Sequence, residues 1–415
     1  MAKKKNEEKE EVKNTTDLDG AFKALLSSGK VKTLDTAGQV PYFIDTGNLA
    51  LNFMCSGRYA TGGLPGGRIT EVFGPPGTSK SLLGYCCIAS CQRKGGIAVL
   101  LDCERAGNAE FAEKAAHVNT SKLITYEPIS IEAVEKQIFS ATKLIRQHFS
   151  KDIPILFVWD SIGVTPTQRE WSETELPDNP TVAQLKAVGL ERPGERAKAA
   201  SELLRKVNPF ISENNATLYV INQIRSKIGV LYGSPETTAG GGQGLPFYAS
   251  CRLRTNVGKN IENKNGLPLG VNLKFANKKS RNCPPGMKTE GVQLFFQNGI
   301  NPLGGLLSVL IASERVVGVR GNYVVKPEYT QDGNEYTFKA SAVRNDIPYD
   351  VVLDCPKLID LTTKEEVEKY MSVHIDALKL ATGDSIIEKS VNDEGDSIEE
   401  EVPDFIQELD SVDSE

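Results

Sequence analysis

Three features of the sequence predict an α/β fold with a doubly wound, twisted and mostly parallel sheet. Short, continuous apolar runs recur at residues 69–73, 97–101, 155–159 and 217–221. Helical stretches separate them near 80–94, 106–117, 131–149 and 195–214. The first run leads straight into a Gly/Pro-rich turn that opens a helix. Unbroken apolar runs suit strands buried on both faces, and strand–helix alternation places helices on either side of a parallel sheet.

In chain order, residues 1–14 form a charge-mixed lead. Residues 15–29 read as a short amphipathic helix, with Leu18, Phe22, Leu25 and Leu26 on one face and Gly29 as its stop signal. An extended linker follows to about residue 47, and the strand–helix alternation begins at Arg68. From about residue 305 the periodicity weakens into a mixed segment reaching about 380. The expected organisation is an N-terminal arm (1–47), a core (48–312), a small C-terminal domain (313–383) and an acidic tail (384–415). No internal repeat is visible.

With 415 residues, 40% hydrophobic and 25% charged, the chain has a globular rather than fibrous or disordered composition. No apolar run approaches the roughly 20 residues that cross a bilayer, so no membrane partner is expected. The start, Met1-Ala2-Lys3-Lys4-Lys5, lacks an apolar stretch behind it and does not read as a signal peptide. The cysteines at 55, 86, 87, 91, 103, 251, 283 and 355 form no C-x-x-C pair, and three histidines leave no zinc set. Inert thiols in a reducing, cytoplasmic compartment are expected.

Charge is unevenly divided. From Asp384 onward 13 acidic residues face one lysine, a net of −12, so residues 1–383 carry +6 of the chain's −6. Such a tail reads as a solvated, disordered end or as a polyanion mimic competing for a nucleic-acid site on the basic body.

The turn after the first strand is Gly74-Pro75-Pro76-Gly77-Thr78-Ser79-Lys80-Ser81, followed by Leu82 and the helix. This is nearly G-x-x-x-x-G-K-[ST] between a strand and a helix. Backbone N–H groups of such a loop hold phosphates, Lys80 would reach the β- and γ-phosphates, and the Ser81 hydroxyl would ligate Mg²⁺. Ser79 stands where glycine is expected, which keeps the N–H but adds a Cβ and restricts the backbone. A plain strand-to-helix turn is the alternative. The strand 155–159 ends in Asp160, a carboxylate placed to orient a Mg²⁺-bound water. Glu104, in Leu101-Asp102-Cys103-Glu104-Arg105, is expected at the carboxyl end of a strand neighbouring the phosphate loop, where it could polarise the attacking water. Alone, it reads equally as a solvated loop residue. Together these elements indicate hydrolysis of a nucleoside triphosphate.

The stretch from Asn222-Gln223-Ile224-Arg225-Ser226-Lys227 through Thr237-Thr238, with Gly240-Gly241-Gly242 and Phe247-Tyr248-Ala249-Ser250, resembles the second DNA-binding loop of the RecA recombinases. Gly63-Leu64-Pro65-Gly66-Gly67-Arg68-Ile69, Asp160-Ser161-Ile162 and Gly299-Ile300-Asn301-Pro302-Leu303-Gly304-Gly305 resemble the same family, over roughly residues 48–312. The altered phosphate loop, Lys279-Ser280-Arg281 and the acidic terminus are more similar to bacteriophage UvsX-type recombinases.

The resemblance implies a RecA-like P-loop ATPase core that uses ATP and Mg²⁺. It assigns Glu104 to water activation, Asp160 to the Mg²⁺ shell and Gln223 to sensing the γ-phosphate. Lys279 and Arg281, with Lys278 beside them, fall where the family reaches across to a neighbour's ATP; a solvated basic turn is the alternative. The arm is implied to pack on the next subunit of a helical filament, or else on its own core. Single- and double-stranded DNA, single-strand-binding proteins and loader proteins are the implied partners, in bacterial or phage-infected cytoplasm.

Residues 224–247 have the chemistry for a sugar-phosphate backbone. Arg225 and Lys227 carry charge, Gly229, Gly233 and Gly240, Gly241 and Gly242 permit close approach, and Thr237 and Thr238 supply hydroxyls. Ile228, Val230, Leu231 and Tyr232 can wedge between or stack on bases. No base-reading array is present, so binding should be sequence-independent. A second long connection, 165–195, precedes a helix bearing Arg196, Lys198, Ser201 and Arg205, whose start contacts the DNA backbone in the family. Simple surface disorder is the alternative for either loop. The leading expectation is an ATP-dependent strand-exchange recombinase. A non-exchanging mediator or paralog is kept open by Ser79. A hexameric helicase of related core fold lacks support because no N-terminal interaction domain or primase-like module precedes the core, and a clock-type or signalling ATPase does not account for the DNA-loop match.

Overall fold

The computed structural model describes residues 18–28, 33, 38–173, 194–226, 236–238, 242, 244–263, 265–319, 321–339 and 346–382. The chain divides into two units, Met1–Pro41 and the remainder from Tyr42. In the first, helix α1 (Leu18–Ser27) leaves Phe22 and Leu25 more than half exposed.

The second unit begins before residue 48. Strand β1 (Phe43–Ile44) pairs with β2 (Leu64–Pro65), and the Tyr42 hydroxyl donates to Asn215 O at 2.6 Å. Asn48 caps helix α2 (Leu49–Ser56), its side chain accepting from Leu51 N at 3.0 Å.

The main sheet is built around β3 (Ile69–Gly74), which lies parallel to β7 (Ala216–Ser226) on one side and β9 (Cys251–Glu262) on the other. Beyond β7 the parallel order continues through β6 (Ile155–Asp160) and β4 (Ile97–Asp102) to β5 (Ile124–Tyr126) at the edge. On the other side β10 (Pro268–Ser280), β11 (Lys288–Phe295) and β12 (Gly299–Ile300) run antiparallel. The short β8 (Glu236–Thr238) pairs back on the end of β7, Arg225 opposite Thr237.

Alternation along the strands sorts the core onto two faces. Leu156 and Val158 point into one apolar cluster, whereas Phe157 and Trp159 point into the other. Helices α3 (Lys80–Arg93) and α4 (Ala109–Ala116) cover the first face. Helices α5 (Ile131–His148) and α7 (Glu195–Glu213) cover the second. A strand buried on both faces must be apolar throughout, which is why these runs are continuous.

One sequence expectation is corrected by the strand order. Strand β4, which leads to Glu104, does not neighbour the phosphate-loop strand, because β7 and β6 lie between β4 and β3. Past α9 (Leu306–Ala312), the three-stranded sheet of β13 (Val316–Val319), β14 (Asn322–Val325) and β15 (Tyr336–Lys339) is antiparallel. Its Val316, Val325 and Phe338, with Val352, Leu358 and Met371 further on, join the same apolar cluster as Met54, Leu83 and Leu294. No described helix is long and apolar enough to cross a membrane.

Candidate active site

The turn from β3 to α3 is shaped by local geometry. A Cβ on Gly74 would lie 2.3 Å from Thr255 O, and Gly77 has φ +70° over open space. The Thr78 hydroxyl closes the loop onto Pro75 O at 2.9 Å. Lys80 Nζ donates to Pro75 O at 2.6 Å and to Thr78 Oγ1 at 3.2 Å, so the ammonium lies along the loop where phosphate oxygens would sit. Burial lowers the Lys80 pKa, against the raising fields of Asp160 and Glu104. From below, the Tyr219 hydroxyl donates to Lys80 O at 3.1 Å. Ser79, at φ 54° and ψ 30°, occupies the left-handed region that glycine takes without cost.

Carboxylates converge on this loop from the ends of β4 and β6. Cys103 N and Glu104 N both donate to Asp160 O, at 2.8 and 3.2 Å, tying the two strand ends together. Asp102 turns the chain by accepting from Ala106 N at 3.3 Å and Gly107 N at 2.9 Å. Glu104 thus reaches the site through a turn rather than from an adjacent strand. Its Oε1 accepts from the Ser161 hydroxyl at 2.6 Å and from Gln223 Nε2 at 3.3 Å. Gln223 stands opposite Gly74 in the β3–β7 register.

A cavity of about 410 Å³ joins these groups, lined by Pro76 to Leu82, Glu104, Asp160, Ile221 and Gln223, with Phe111 and Phe296 at its side. The two rings escaped the sequence reading. Phe111 carried a signal, lying off the buried alanine stripe of α4; Phe296 follows Leu294 and Phe295, both buried, and strand alternation does not mark it as exposed. Half-exposed aromatic faces beside a phosphate loop suit a nucleobase.

The donor set also fits Mg²⁺. Burial pushes the Asp160 carboxyl up to about 6; a Ser81 hydrogen bond opposes that rise, while Glu104 and Asp102 add to it. A dication beside Ser81 and Asp160 would relieve this crowding. Among the described residues there is no group of three or more His, Cys, Asp or Glu that could hold a metal ion.

Lys279 and Arg281 are not brought to this cavity. Ser280 pairs with Cys251, which pairs with Thr70, so they lie near the beginning of β3. The phosphate loop starts after Gly74, roughly 13 Å further along at about 3.3 Å per residue. Lys279 Nζ instead donates to Pro246 O and Phe247 O, at 2.8 and 2.7 Å, in helix α8 (Gly244–Tyr248).

The DNA candidates divide. Lys227, Ile228, Gly229, Tyr232, Gly240 and Gly241 lie outside the described residues, and Arg225, Thr237 and Thr238 are located by backbone pairing. Gly242 and Gly244 return against α7, where an added Cβ would meet Ala197 Cβ at 2.7 Å and Ser201 Oγ at 2.6 Å. Lys198 and Arg205 are exposed on α7, while the Ser201 hydroxyl is spent on Ala197 O at 2.7 Å. Arg196 is held by Glu170 at 2.5 Å, and Arg169 by Glu195 at 3.2 Å. These pairs join α7 to α6 (Gln168–Glu173), within the connection predicted at 165–195.

A phosphate loop on the central strand, with carboxylates gathered at the carboxyl ends of the next strands, defines a P-loop nucleoside triphosphatase. A family model described as the RecA N-terminal domain matches residues 26–301. A Protein RecA from Chlorobaculum tepidum is 35% identical over 278 residues, covering 67% of this chain and 72% of that protein. A Protein RecA from a Caulobacter species is 33% identical over 293 residues, covering 70% and 73%. The chain belongs to the RecA family, a family of DNA-dependent ATPases that bind ATP and act in DNA recombination and repair.

Proposed function

We propose that this chain is an ATP-dependent DNA strand-exchange recombinase that assembles as a helical filament on single-stranded DNA and pairs it with homologous duplex. The observation carrying this reading is Gln223. It lines the nucleotide cavity, bonds to Glu104, and lies on the strand that runs directly into the candidate DNA loop.

In this reading loop N–H groups and Lys80 hold the triphosphate of ATP, and Phe111 and Phe296 flank its base. Mg²⁺, when bound at Ser81 and Asp160, supplies charge neutralisation on the phosphate oxygens. Glu104 Oε1 is committed to Ser161 and Gln223, which leaves Oε2 to take a proton from the attacking water. That water's oxygen bonds to the γ-phosphorus as the bond to the β-phosphate bridging oxygen breaks, giving ADP and inorganic phosphate. Lys279 and Arg281, at the opposite end of the strands, would serve a neighbour's ATP in a head-to-tail filament that does not close. The arm 1–47, the core 48–312, the C-terminal segment 313–383 and the tail 384–415 are the functional divisions. A cytoplasmic setting, a bacteriophage-type affinity, and single-strand-binding and loader proteins complete the proposal.

Lys198, Arg205, Arg225 and Lys227 provide phosphate contacts, and homology is read by base pairing. The test is a strand-exchange assay with ATP and Mg²⁺, comparing homologous and heterologous duplex. Joint molecules formed only with the homologous partner are expected. Failure despite intact ATP and single-stranded DNA binding would favour a non-exchanging mediator, the reading that Ser79 supports.

A further inference from the structure

Glu71 is a fully buried carboxylate in the middle of β3, and nothing in the hydrolysis chemistry above uses it. It is ion-paired to Arg252 Nε, and Arg252 stacks its guanidinium 4.7 Å above the Phe73 ring. Its other oxygen accepts from Asn222 Nδ2 at 2.9 Å. The register sets Glu71 on β3 opposite Arg252 on β9, and Arg252 opposite Lys279 on β10, in one transverse row; Asn222 on β7 stands opposite Phe73 and reaches Glu71 diagonally.

Each end of the row meets a different site. Asn222 precedes Gln223, and its Oδ1 accepts from Gln223 N at 2.9 Å. Lys279 donates to the carbonyls of Pro246 and Phe247, on the helix that follows the candidate DNA loop. Neutral carbonyls hold Lys279; burial first, then the neighbouring charges of Arg281 and Arg252, lower its pKa, and Glu71 opposes that fall. The structure shows Lys279 on the α8 carbonyls; its release to an outside anion is the second arrangement that a relay through this row would require. A buried ion pair adds little net stability compared with apolar side chains of similar volume, but it fixes conformation and can bias a switch.

We propose that Glu71 is a positioning residue coupling the nucleotide cavity to the segment behind the DNA loop. It orients Asn222 beside Gln223 on one side and, through Arg252, sets the hold of Lys279 on α8 on the other. This route crosses the sheet and is separate from the direct continuation of β7 into the loop. It rests on the ATP and DNA sites proposed above, and the physical warrant for coupling is a two-state element biased from both ends.

The test is thermodynamic. Affinity of the full-length protein for a labelled dT oligonucleotide is measured by fluorescence anisotropy in Mg²⁺ buffer, without nucleotide and with ATPγS, and the ratio of the two is taken. Wild type is expected to bind at least about tenfold tighter with ATPγS. Glu71→Gln keeps an acceptor for Asn222 and removes the charge facing Arg252. Its ratio should fall close to one, with nucleotide-free affinity unchanged within about twofold. A ratio kept within twofold of wild type would overturn the relay alone. A wild-type ratio of one would overturn both the relay and the function beneath it. If Glu71→Gln does not fold, Glu71→Leu/Arg252→Met removes both charges together. Collapse of the ratio in that folded double variant supports the relay, and its preservation overturns it.

Discussion

Gln223 Nε2 donates to Glu104 Oε1 at 3.3 Å, a contact between residues 119 apart in sequence. It holds the carboxylate above the phosphate loop from the strand that leads to the candidate DNA loop. Removing the proposed general base while keeping its shape should therefore be selective. Glu104→Gln is expected to lower kcat at least about a hundredfold with ATP affinity nearly unchanged, checked by single-turnover hydrolysis and nucleotide titration.

Lys80→Ala should abolish ATP turnover, because its Nζ, bonded to Pro75 O and Thr78 Oγ1, is the charge this loop would offer to phosphates. Wild-type-like hydrolysis in that variant would end the phosphate-site assignment.

Ser79 carries a left-handed backbone at φ 54°. Such a conformation costs an L-residue roughly 1 kcal/mol or more. Ser79→Gly is expected to raise folding stability by about 1 kcal/mol, measured by denaturant unfolding. A loss of stability would mean that the serine side chain itself contributes a contact.

Two neighbouring cations on α7 should behave differently. Lys198 is exposed, whereas Arg196 is committed to Glu170. Lys198→Ala should weaken single-stranded DNA binding across all sequences and flatten the log–log salt dependence by about 0.7. Arg196→Ala should leave that slope in place. Equal slopes for Lys198→Ala and wild type would remove Lys198 from the interface.

Burial pushes the Asp346 carboxyl up to about 6, against a hydrogen bond from Gly305 N that favours its charged form. The folded state then holds a proton that the unfolded state has lost. This residue's contribution to stability is greatest below about pH 4 and declines as pH rises through about 6. Asp346→Asn should remove that decline and raise the thermal midpoint at pH 7 relative to wild type. Parallel curves from pH 4 to 7 would show that Asp346 is solvated.

Much of the core was legible along the chain. Ile155–Asp160 is a strand because every residue from Ile155 to Trp159 is buried, and Asp160 ends it where the apolar run ends. The phosphate loop was readable for a related reason: Gly74, Gly77 and Lys80 meet requirements of a turn and a charge within one short segment. Phe111 and Phe296 were harder, since only the fold brings them to the side of the same cavity.

Local chemistry by itself determined the four strands at 69–73, 97–101, 155–159 and 217–221, the helix that starts at Lys80, the acidic Asp160 and the basic, glycine-rich stretch after Gln223. Only the tertiary structure decided that β7 and β6 separate β4 from β3, that Glu104 arrives through a turn hung on Asp160 O, and that Glu71, Arg252 and Lys279 share one row. The physical reason is that strand identity follows from burial and side-chain periodicity over a few residues, whereas strand order and register depend on hydrogen bonds between segments far apart in sequence.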